Sequence, residues 1–85
     1  MEDNMESKPY KTSDTPYAAF LHYHKHQFVT VRKDPNDIKR KVYVFIEIDT
    51  TKDLEKEYYN GEPNVIAPLY YKSVRLMFAK LRDFK

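Results

Sequence analysis

Cysteine is absent from this chain, tryptophan is absent, and there is one glycine. Without cysteine there is no disulfide framework and no thiolate zinc site. A single glycine, Gly61, excludes a phosphate-cradling glycine loop and a dinucleotide fingerprint. No apolar run approaches the ~18 residues of a membrane-spanning helix. The first eight residues are acidic and polar, unlike a secretory leader. The expectation is a cytoplasmic protein without a cofactor and with no membrane association. Ser13 and Ser73 lack a nucleophile-elbow context. Glu55 and Glu57 read as a solvated helix face, and Asp49 and Asp53 as caps, rather than as a nuclease centre. No acid, base and nucleophile set converges, so the chain does not read as an enzyme.

What is present is tyrosine and charge. Eight tyrosines in 85 residues supply rings that are apolar with a polar tip, suited to surface as well as core. The net charge is +2. Residues 1–8 hold Glu2, Asp3 and Glu6 against Lys8, a balance of −2, which leaves +4 on the rest. A modestly basic body with an acidic tail permits attraction to nucleic acid without demanding it.

Residues 1–9 carry no periodicity and read as a disordered acidic tail; residues 10–85 read as a single domain. Asp14 or Thr15 is placed to cap a helix over about 16–25, with Pro16 at its first turn. Residues 27–33 read as a strand and Asp34-Pro35-Asn36-Asp37 as a turn. Lys39 to Ile48 is the clearest strand, β-branched and aromatic without Gly or Pro. Alternation puts Val42, Val44, Ile46 and Ile48 on one face, read as core, and Lys41, Tyr43, Phe45 and Glu47 on the other. A short helix follows, capped by Asp49 or Thr50 and closed by Asn60-Gly61 with Gly61 expected in the left-handed region. Val65 and Ile66 are expected to tuck into the core. A last helix over about 68–83 has an apolar stripe of Tyr70, Val74, Met77, Phe78, Leu81 and Phe84. The fold class is α+β, an antiparallel hairpin with three helices in the order α-β-β-α-α. Two strands make a marginal sheet, so a third short strand is wanted, from Tyr10–Thr12 or from a partner chain.

The segment Tyr10-Lys11-Thr12-Ser13-Asp14, followed by an Ala- and Leu-containing helix, resembles the opening of a family of small uncharacterised domains from bacteria and their phages. The Val42-Tyr43-Val44-Phe45 strand, the Tyr59-Asn60-Gly61 turn and the basic last helix extend the similarity over about residues 10–82. The resemblance implies a phage or mobile-element context. It implies no activity and carries over no catalytic residue.

Three constellations carry chemistry. The outward hairpin face would show Phe28, Thr30 and Arg32 beside Lys41, Tyr43, Phe45 and Glu47; rings flanked by cations are what single-stranded nucleic-acid binders use. The competing reading covers this face with a helix or a second copy of the chain. The second constellation is the basic stripe Lys72, Arg75 and Arg82 of the last helix, with Lys80 nearby; the hairpin-end cations Arg32, Lys33, Lys39, Arg40 and Lys41, partly neutralised by Asp34 and Asp37, add to it if the fold sets both on one side. It would lie along a phosphate backbone or an acidic partner, or be only a solvated face. The third is His22 and His26, four apart and on one helical face, a weak metal candidate without a third ligand. The chain therefore reads as a small non-enzymatic binding protein acting on nucleic acid, or on a nucleic-acid-processing protein, through a basic-aromatic surface. The alternatives are a protein-binding inhibitor or adaptor of a host enzyme, and a homodimer formed through the sheet.

Overall fold

The computed structural model describes residues 8–61 and 63–84. The chain runs β1 (Pro9–Thr12), α1 (Thr15–Tyr23), β2 (Phe28–Asp34), β3 (Asp37–Ile46), α2 (Thr51–Asn60) and α3 (Ala67–Asp83). The expected order thus gains a strand at its front, and the third strand comes from the chain itself. Pro9 opens β1, an edge position where its missing N–H breaks no ladder. The Lys8 carbonyl already accepts from the Glu47 amide at 2.8 Å. Residues 1–7, the bulk of the expected tail, lie outside the described residues.

The sheet is antiparallel in the order β1-β3-β2, so the strand richest in β-branched and aromatic residues takes the centre. The β2–β3 turn closes over Pro35 and Asn36 alone, within the expected Asp34–Asp37 turn. Asp34 and Asp37 pair, and the Asp34 carboxylate accepts from the Asn36 amide at 2.9 Å, an Asx turn.

Register decides which side is the core. Tyr10 and Phe28 flank Phe45, while Thr12 and Val31 flank Tyr43, so all six share one face. That face carries the helices. Tyr43 is 1 % exposed and Phe45 0 %, in one cluster with Tyr17, Phe20 and Leu21 of α1 and Met77 of α3. The expectation that the aliphatic face is the core holds only in part: Val42 and Val44 are buried, but Ile46 is half-buried, Ile48 is 49 % exposed, and none of the four joins the helix-bearing cluster. Val42 and Val44 are shielded, but their cross-strand neighbours are Arg32 for Val42, and Lys11 and Thr30 for Val44. Among the described residues no helix shares the core cluster with them. Two rings on the central strand fill the space under a helical layer better than valines do, and each contributes roughly 1.5–3 kcal/mol on burial.

Helix α1 is buried on nearly every side, from Tyr17 to Leu21, as befits a helix packed against β1, α2 and α3 at once. Asp14 caps it as expected, its Oδ1 accepting from the Tyr17 amide at 3.2 Å. The α2 start differs from expectation. Thr50 makes no side-chain cap bond, and the Thr51 hydroxyl instead accepts from the Ile48 amide at 2.9 Å. Gly61 also departs from the left-handed reading; its φ of −113° is ordinary extended backbone. What asks for glycine there is space, since a Cβ would meet the Glu57 carbonyl oxygen at 3.0 Å. Val65 packs on the core, whereas Ile66 is exposed and serves as the N-cap residue of α3. Phe78, expected within the α3 core stripe, is exposed as well.

Candidate functional site

The sequence-predicted residues separate into three groups. Tyr43 and Phe45 lie under the helices, 1 % and 0 % exposed, so neither presents a ring face for stacking, although Tyr43 borders the groove beside Lys39–Lys41. The Tyr43 hydroxyl lies 2.8 Å from Thr15 Oγ1 and donates to the Met77 carbonyl at 3.3 Å, a structural role. Burial pushes its phenol above the usual value, against an opposing pull from Thr15.

His22 and His26 do not form the pair their spacing predicts, because α1 ends at Tyr23 and Lys25 takes a left-handed φ of 70°. His22 Nδ1 lies 2.8 Å from Ser73 Oγ on α3, and His26 Nε2 lies 2.9 Å from Thr51 Oγ1 at the start of α2. Each ties α1 or its exit loop to a different helix. Among the described residues no group of three or more His, Asp or Glu side chains gathers to hold a metal ion. The Ser73–His22 bond has the length of a nucleophile–base pair. However, Ser73 is only 5 % exposed, and the charges nearest His22 are Lys25 and Lys80, neither able to orient an imidazole as an acid does. Burial first, and those two lysines second, hold His22 below its usual value.

The cations are what the fold brings together. Lys33 pairs directly with Lys41 across β2–β3, on the helix-bearing face. Like charges directly opposite cost stability, and a bound anion would offset that cost. Lys39, Arg40 and Lys41 line a groove of about 380 Å³ with Ser13 and Leu81, so the hairpin end meets the C-terminal end of α3. The Lys41 ammonium stands 5.6 Å from the Phe84 ring centroid. One residue beyond Leu81, Arg82 lines a second groove with Lys72, Arg75, Leu76 and Ala79 on the outer side of α3. Arg32 falls elsewhere, opposite Val42 on the other face of the sheet.

From the neighbouring pairs Tyr58–Tyr59 and Tyr70–Tyr71 the sequence predicts one or two exposed tyrosines near arginine, as Tyr71 is, but Phe78 was missed as a member of this surface. Tyr71 is 61 % exposed and Phe78 51 %. At 100° per residue Tyr71, Arg75, Phe78 and Arg82 descend one side of α3 at i, i+4, i+7 and i+11. The Arg75 guanidinium stands 5.8 Å from the Tyr71 ring centroid. The signal was the spacing itself: Phe78 sits at the edge of the apolar stripe, four residues after Val74 and three after Arg75. Over the whole helix Lys72, Arg75, Lys80 and Arg82 face Asp83 as the one acid.

No helix among the described residues is long and apolar enough to cross a membrane. Comparison with known proteins returns no match: no family model fits the chain, and no curated protein or solved structure aligns with it.

Proposed function

We propose that this is a small non-enzymatic binding module that engages nucleic acid through α3 and the hairpin end, an accessory factor of the phage or mobile-element kind that its resemblance implies. The observation that carries the reading is the exposed run of rings and cations on α3, Tyr71, Lys72, Arg75, Phe78 and Arg82, on the same helix that the Lys39–Lys41 groove reaches at Leu81. The basic-aromatic surface sought on the hairpin is thereby relocated to the helix. Cations at this density contact phosphates, and the opposed Lys33–Lys41 pair favours an anionic partner.

The test is an electrophoretic mobility shift with mixed-sequence oligonucleotides across a salt series. Binding should weaken steeply with salt, and the triple change Lys72→Ala, Arg75→Ala, Arg82→Ala should flatten the slope. Arg32→Ala should leave it unchanged. No shift at low salt would overturn the reading.

A further inference from the structure

We infer that the α3 surface selects unpaired over duplex nucleic acid, with bases stacking on Tyr71 and Phe78 while Arg75 and Arg82 hold the intervening phosphates. The inference rests on the reading above and names the substrate class within it. Tyr71 and Phe78 are seven residues apart, about 10.5 Å along the helix at 1.5 Å per residue, and within about 20° of each other around it. Arg75 and Arg82 repeat the same interval, so ring and cation alternate down one side. Phe78 carries no polar group, and half its surface faces water. In a duplex the base faces are occupied by neighbouring bases, and exposed rings have nothing to stack on. In a single strand the faces are free, and any base will serve. A cationic helix reading only a duplex backbone would have no use for the two rings. Leu69 and Leu76, the other large exposed apolar side chains of α3, lie well round the helix from the two rings, Leu76 bordering the far side of the groove that Arg75 and Arg82 line. Lys80, on the far side of the helix, stands over the Phe28 ring at 5.7 Å, much as Arg75 stands over the Tyr71 ring at 5.8 Å, so a base stacking on Tyr71 takes the face that Arg75 leaves open. An acidic protein partner would be drawn by the same cations, so it is made an arm of the test.

The probes are labelled oligodeoxythymidylate, its duplex with oligodeoxyadenylate, and polyglutamate as competitor, read by fluorescence anisotropy at one salt concentration with the full chain. The single strand should bind at least about 5-fold tighter than the duplex. Phe78→Ala and Tyr71→Ala should each weaken single-strand binding by roughly 5-fold or more while leaving duplex binding unchanged. Phe78→Tyr, which keeps a ring, should restore it, and unchanged far-ultraviolet circular dichroism should accompany every variant. Equal affinity for both forms, neutral ring substitutions, or displacement by polyglutamate as effective as by free oligonucleotide would each overturn the selectivity while leaving anion binding by the cations intact. Binding of neither probe at low salt would overturn the nucleic-acid reading as well.

Discussion

The Tyr43 hydroxyl donates to the Met77 carbonyl at 3.3 Å, joining the centre of the sheet to the middle of α3. Because Tyr43 uses its one proton there, Thr15 Oγ1, 2.8 Å away, is the donor of the second bond. This short chain links strand, α1 and α3, and fixes the height at which α3 crosses the sheet. Tyr43→Phe removes both bonds and strands the Thr15 hydroxyl; a loss of about 1–2 kcal/mol in urea unfolding is expected, with the fold retained.

Phe45 tests which face is the core. Phe45→Glu would bury an unpaired carboxylate among α1 and β2 side chains and should abolish cooperative unfolding. If Phe45 instead formed a dimer contact, the variant would fold and light scattering would show a smaller species. A folded, monomeric Phe45→Glu protein would contradict the architecture.

Asp14 serves two elements. Its Oδ1 caps α1, and its Oδ2 accepts from the Tyr59 hydroxyl of α2 at 2.6 Å. Burial, reinforced by this carboxylate, pushes the Tyr59 phenol well above its usual value. Asp14→Ala should cost about 1–2 kcal/mol through the cap. A double-mutant cycle with Tyr59→Phe should show a coupling of about 0.5 kcal/mol or more. Spectrophotometric titration of Asp14→Asn should show one tyrosine ionising at lower pH than in the parent.

Acid should weaken the fold through two histidines. His26 is 4 % exposed, its Nε2 engaged by Thr51 and its Nδ1 without a hydrogen-bond partner. Burial holds it below its usual 6.5. His22 is lowered in the same direction. The unfolded chain then takes up protons more readily than the folded one, so stability rises with pH. It should be fully present above 6.5 and fall as pH drops through 6.5 toward the folded values. Urea midpoints measured from pH 8 to pH 5 check this. His26→Gln should flatten part of the slope, and a midpoint that does not move would contradict it.

These relationships also show what a sequence carries. Period-two alternation identified both faces of β3 but could not say which one meets the helices, because Val44 and Phe45 are equally good strand residues. The choice was made by partners far along the chain, Met77 and Thr15, whose bonds to one phenol leave no local trace. The cap at Asp14 and the basic stripe of α3 were legible because helix ends and 3.6-residue periodicity are local. The His22–His26 spacing misled for the converse reason: it assumed a helix that the left-handed Lys25 has already ended. Phe78 was assigned to the core by its neighbours' spacing, yet it sits one edge too far round the helix to reach it.

The proposed binding surface on α3 is tested most directly by ¹⁵N-resolved NMR during titration with oligodeoxythymidylate. Shifts are expected at Tyr71, Lys72, Arg75, Phe78 and Arg82, with a second set at Lys39, Arg40 and Lys41, and none at Lys11, Arg32 or Val44. Perturbations centred on Arg32 and Val44, or none at all, would contradict the account.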